Sequence, residues 1–232
     1  MTPALLGRLL GAPPAPRGSW EREAALVSTV PLQTAARRGM PAREVAEEIA
    51  GRLRGEDGVA GVEIGPNGFL TILLSRPGEI VREITEGGPR AAGAPAMPPV
   101  PPRTWPDFPR TWDNPGFAVR YAHVRAAAVR RWARDLGVPY EGFRPEALDG
   151  PHDRAVLRLL AELPGRTAGR EPAWAAYAER LALAYHDAHE RAPALPKGDR
   201  PVEDVHTARL RLAGAVQDVL IALLGPELLE RM

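Results

Sequence analysis

Five histidines, His123, His152, His186, His189 and His206, are the side chains that titrate nearest neutrality, and no cysteine occurs in the 232 residues. The lack of cysteine excludes thiolate zinc sites, iron–sulfur clusters, disulfides and cysteine nucleophiles. His186-Asp187-Ala188-His189 sets two imidazoles at i and i+3 with an acid between them. It lacks the His-Glu-x-x-His spacing of a helical zinc site and has no third ligand nearby, so a solvated helix face explains it better than a metal. Asp149 and Asp153 flank His152, yet Gly150-Pro151 marks a helix start at which either carboxylate would serve the N-terminal amides. Gly61, Gly65 and Gly68, and Gly87, Gly88 and Gly93, match neither a P-loop nor a dinucleotide fingerprint. No Ser-His-Asp arrangement is recognisable. The expectation is therefore no catalytic residue, no cofactor and no metal.

The segment with the clearest chemical character is Phe117 to Arg134, with Arg120, Arg125, Arg130, Arg131 and Arg134 and no acid. At helical spacing, Arg120, His123, Arg130, Arg131 and Arg134 fall within an arc of about 100°. Phe117, Tyr121, Ala128, Val129, Trp132 and Leu136 fill the other side. The arc reads as a solvated surface or as a stripe for phosphates, and periodicity alone favours the former. Arg125 falls inside the apolar arc, where an unpaired charge is costly, so it requires an acid partner or a place at a functional groove.

The elements that position these residues follow from punctuation. Between Thr85 and Pro115 stand nine prolines, densest in Met97-Pro98-Pro99-Val100-Pro101-Pro102. Such a stretch cannot continue a helix and reads as a semi-rigid linker, 85–114, between modules at 1–84 and 115–232. In the first module, Trp20 to Arg38 reads as a helix bent at Pro31. A second helix follows Pro41, with Val45, Ile49 and Leu53 on one face. Strands at Val59–Ile64 and Phe69–Leu74 are joined by Gly65-Pro66-Asn67-Gly68, and a short helix runs from Pro77 to about Ile84. The second module reads as helices near 116–136, 151–163, 171–191 and 202–224, a bundle. The fold class is α+β, mostly α: a small α/β domain, a Pro-rich linker and an all-α bundle.

With 30 basic and 29 acidic residues, net charge +1, no block is globally basic. Of the basic residues all but Lys197 are arginine, which codon bias explains as readily as phosphate binding. The longest uncharged stretch, Ala24 to Ala36, is 13 residues. That is short of the ~20 a membrane span needs, and the start shows no export signal, so a cytoplasmic protein without a membrane partner is expected.

Asn114-Pro115-Gly116-Phe117-Ala118-Val119-Arg120-Tyr121-Ala122-His123-Val124-Arg125 resembles the Asn-Pro-x-x-x-Val-Gln-Tyr-Ala-His-x-Arg start of the DALR anticodon-binding domain of arginyl-tRNA synthetases. Leu195-Pro196-Lys197-Gly198-Asp199, Ala208-Arg209-Leu210-Arg211-Leu212 and the terminal Glu230-Arg231-Met232 resemble the end of that domain. Residues 1–84 are similar to the family's N-terminal additional domain through Leu32-Gln33, Gly39, Pro41 to Ile49, and Gly65-Pro66-Asn67-Gly68-Phe69-Leu70. The synthetase's catalytic middle has no counterpart: there is one lysine and no His-x-Gly-His, so aminoacylation by this chain is not expected.

The resemblance implies a non-catalytic tRNA-binding protein, engaging the anticodon arm and elbow of arginine tRNA. Gln33 and Phe69 would be elbow contacts. Arg120, Tyr121, His123, Arg125, Arg231 and Met232 would lie at the anticodon groove, with Arg130, Arg131 and Arg134 continuing the basic face. Thr29, Pro31, Thr71 and Arg120 depart from the family pattern, which weakens the elbow reading more than the anticodon reading. The alternative is a protein–protein scaffold that kept the folds and lost RNA, with a synthetase or a second copy as partner.

Overall fold

A computed structural model describes residues 1–101, 104–106 and 108–225. It is α+β and mostly α: a four-stranded antiparallel sheet near the N-terminus and a helical remainder. The chain opens with α1 (Pro3–Leu10), where the Thr2 hydroxyl accepts from the Leu5 amide and Pro3 stands where no amide is needed. Strands β1 (Ala15–Arg17), β2 (Ala24–Ser28), β3 (Val59–Ile64) and β4 (Leu70–Leu74) lie in the order β1-β2-β4-β3. In β4, Leu70, Ile72 and Leu74 alternate inward, as period-two patterning requires. Helices α2 (Val30–Arg38) and α3 (Ala42–Leu53) pack on each other, and α3 lies on β3 with Val45, Ile49 and Leu53 buried.

The expected helix from Trp20 to Arg38 is corrected: its first part is strand β2, and helix begins only at Val30. The reason is local. Trp20 has φ 66°, a left-handed conformation that stops a helix, and the apolar run Ala24 to Val27 has no period to tell strand from helix. The Ser28–Leu70 pairing then sets the start of α2 beside the β3–β4 turn.

Helix α4 (Glu79–Gly87) buries Ile80, Val81 and Ile84, and its main partner is α9 (Asp204–Leu224) in the helical half. That half consists of α5 (Pro115–Asp135), α6 (Pro151–Leu160), α7 (Leu163–Ala168), α8 (Trp174–Arg191) and α9. Helix α5 is wedged between α8 and α9, and α6 packs on α8. The Pro-rich segment is laid along the helices: Ala92, Ala94 and Val100 are buried, and the Val100 amide donates to the Leu223 carbonyl at 3.1 Å. Among the described residues no helix is long and apolar enough to cross a membrane.

Candidate nucleic-acid interface

Helix α5 owes its start to the motif residues themselves. The Asn114 side chain accepts from the Gly116 amide at 3.0 Å, while its own amide donates to the Pro106 and Pro109 carbonyls, both at 2.9 Å. Gly116 has no room for a side chain, since a Cβ would stand 2.6 Å from that of Trp105. Asn114-Pro115-Gly116 therefore caps the helix and fastens the proline-rich segment to it.

The buried face of α5 follows its small residues, Ala118, Val119, Ala122, Ala126, Val129 and Ala133. Because α8 and α9 flank it on two sides, the buried arc is wider than a single-face wheel allows, and its edges shift. Trp132 and Leu136, expected inside, are about half exposed. His123, expected on the basic arc, is buried with its Nε2 3.4 Å from the Gln217 amide. Arg120 is half-buried.

Arg130, Arg131 and Arg134 do stand together. With Ala127, Ala133, Val138, Tyr140, Leu210 and Gln217 they line an open groove of about 460 Å³ between α5 and α9. Arg130 donates to the Gln217 side-chain oxygen at 3.1 Å, and Arg134 to the Arg130 carbonyl at 3.4 Å. None of the three has a carboxylate within ion-pair distance among the described residues. Asp218 feels the charge of Arg130, but burial raises its pKa and Arg130 only partly lowers it. Elsewhere arginines are neutralised: Glu162 alone receives Arg158, Arg166 and Arg180. Burial raises the Glu162 pKa, but these partners outweigh it and hold the carboxyl low.

One end of α5 gathers rings. Phe117 and Tyr121 stack at 5.4 Å, His186 stacks on Tyr121 at 5.5 Å, and Trp112 meets all three edge-on. The Arg125 guanidinium lies 4.6 Å from the Tyr121 centroid and pairs with Glu190 at 2.6 Å, so the arginine inside the apolar arc has its acid. His186 Nε2 donates to the Ala118 carbonyl at 2.9 Å. Trp112 and Tyr140 escaped the sequence reading because neither belongs to a helical period or motif, and Gln217 because it is a polar residue within the apolar period of α9. The rings of Trp105, Phe108 and Trp112 among prolines were the available signal.

The remaining candidates divide. Gln33 is exposed on α2, its amide donating to Thr29 Oγ1 at 3.4 Å, and Phe69 is half-buried in the turn before β4. The β2–β4 register ends with Ser28 opposite Leu70, so Phe69 and the start of α2, which carries Gln33, share one end of the sheet. Arg231 and Met232 lie outside the described residues. Asp153 does not cap α6, as expected from Gly150-Pro151; fully buried, it receives a bidentate bond from Arg209, while Asp149 pairs with Arg154. His206 accepts from the Glu203 amide at the start of α9. Among the described residues no group of three or more His, Asp or Glu could hold a metal ion.

The family model described as the arginyl tRNA synthetase N terminal domain matches residues 23–74, the stretch from β2 to β4. An arginine–tRNA ligase of Clavibacter sepedonicus is 43% identical over 131 residues, covering 53% of this chain. The chain spans about a quarter of that relative's length, 24%. No solved structure matches. Over about half of its length, this chain is similar to the arginyl-tRNA synthetases.

Proposed function

We propose that the chain is a non-catalytic tRNA-binding protein that engages the anticodon arm of arginine tRNA, with Gln33 and Phe69 as a secondary elbow contact. The observation that carries this reading is the α5–α9 groove, where three guanidinium groups face solvent with no carboxylate paired to them among the described residues. A phosphate backbone is the ligand such a row fits, because guanidinium forks match phosphate oxygens and need no base contact. The aromatic cluster at the other end of the same helix supports unpaired bases in this reading. The synthetase relationship supplies tRNA as the RNA class.

The test is titration of the protein with arginine tRNA in gel-shift assays across a salt series. Affinity falls with salt at a slope of about −0.7 to −0.9 per neutralised phosphate, and Arg131→Glu with Arg134→Glu lowers that slope by roughly 2 and the affinity at least tenfold. Undiminished binding by the double variant removes the groove from the mechanism. A protein-scaffold reading is favoured by one other feature, an apolar groove of about 490 Å³ between α1, α2 and α3, floored by Val30, Val45, Ile49 and Leu53. Purification from cells separates the two: enriched arginine tRNA supports the first, and RNA-free protein with a stoichiometric partner supports the second.

A further inference from the structure

We propose that the ring offered to an unpaired RNA base is Trp112 rather than Tyr121, and that Phe108 and Arg110 extend the same platform. The inference rests on the RNA-binding reading and assigns that site a residue outside the motif.

Tyr121 is already enclosed. Phe117, one turn earlier on α5, stacks on it with the ring planes 12° apart. Arg125, one turn later, lies over the ring and is held there by Glu190. His186 and Trp112 close its remaining sides. A base stacking on a face of Tyr121 would displace one of these neighbours, since residues at i−4 and i+4 lie on opposite sides of it along the helix.

Trp112 is placed differently. It covers the cluster with its edge and is 53% exposed, and Phe108, four residues earlier, is 67% exposed. Between them Arg110 sits 5.1 Å from the Phe108 centroid, with no carboxylate paired to it among the described residues. Ring, guanidinium and ring at alternate positions of a non-helical segment form the pattern that holds single strands: bases stack on the rings, and the cation meets the intervening phosphate. The segment is fixed in advance, because Asn114 anchors it through the Pro106 and Pro109 carbonyls, so little ordering remains to be done on binding. From Tyr121 to Arg131 the helix advances only about 15 Å, which leaves the platform and the arginine groove within reach of one RNA arm.

The test uses the full chain with two RNA probes, the anticodon stem-loop of arginine tRNA and the same stem-loop with abasic loop nucleotides. Trp112→Ala weakens the intact stem-loop on the order of tenfold or more. It leaves the abasic probe unchanged, and Trp112→Phe restores most of the loss. Phe108→Ala, at a ring that is largely exposed, gives a smaller loss specific to the intact loop and serves as the variant that does not disturb folding. If Trp112→Ala binds the intact loop normally, or weakens both probes equally, the platform is refuted. Should the Arg131/Arg134 double variant still lose binding in that case, the RNA-binding reading survives without it. If the wild-type chain binds neither probe, both fall.

Discussion

His186 shows how a residue type that invites a metal reading is used for packing. Its Nε2 is committed to the Ala118 carbonyl, and its Nδ1 is buried without a hydrogen-bond partner among the described residues. Burial pushes its pKa down to about 4, the charge of Arg125 and the neighbouring His189 push the same way, and the Ala118 carbonyl and Glu190 only partly oppose them. Between pH 4 and an unfolded value near 6.5 the unfolded chain takes up a proton that the folded chain refuses. Stability therefore falls as pH drops through that window, by roughly 3 kcal/mol in the limit. Urea midpoints at pH 7 and pH 4.5 measure it, and His186→Gln should remove most of the difference; an equal pH dependence in that variant would place the effect elsewhere. The sequence showed His186 and His189 three apart but not which face α8 turns to α5. In the same way it required an acid for Arg125 without naming Glu190, since the pairing comes from two helices 65 positions apart in the chain.

At the scale of elements, glycine context separates positions that look alike in the sequence. Gly51 lies within α3, and a Cβ there meets nothing within 4 Å, so Gly51→Ala should stabilise by about 0.5–1 kcal/mol through the helix and the unfolded chain. Gly78, at the start of α4, has an ordinary helical φ of −61°, but an added Cβ would run into the Pro145 carbonyl. Gly78→Ala should cost about 1–3 kcal/mol by prising α4 from the helical half. Thermal melts of the two variants should move in opposite directions, and a shared direction would contradict the packing described. Helices α5, α8 and α9 were legible because an apolar 3.6 period runs between proline and glycine breaks. Strand β2 was not, since Ala24 to Val27 is uniformly apolar, and β1 is a three-residue edge with Pro16 in it. The end of α6 was legible to within a few residues, but not that Pro164-Gly165 would lie inside a further short helix, α7.

For the molecule as a whole, composition suggests two modules on a tether, whereas the contacts join them. Arg154 and Arg158 of α6 donate to the Arg22 and Gly18 carbonyls at 3.1 and 2.5 Å, and Thr167 donates to the Gly93 carbonyl. The central pin is Arg211 of α9, 5% exposed, which lies over the Tyr140 and Phe143 rings and bonds Thr85 and Glu86 at the end of α4. Tyr140 also lines the arginine groove, so the pin that joins the halves shapes one wall of the proposed phosphate site. Replacing Arg211 with Ala removes two ring contacts and both polar bonds from a buried position, a loss of about 2–4 kcal/mol. At roughly 2–4 °C per kcal/mol for a chain of this size, calorimetry should show one transition for the wild type and an earlier, broadened or split one for Arg211→Ala. A wild type that melts in two separate steps would mean that the halves do not unfold as one unit, and a variant that melts as the wild type does would mean that apolar packing of α4 on α9 holds them without the pin. Tyr140 would then be free to move, and RNA affinity at the groove should be unaffected by the same substitution.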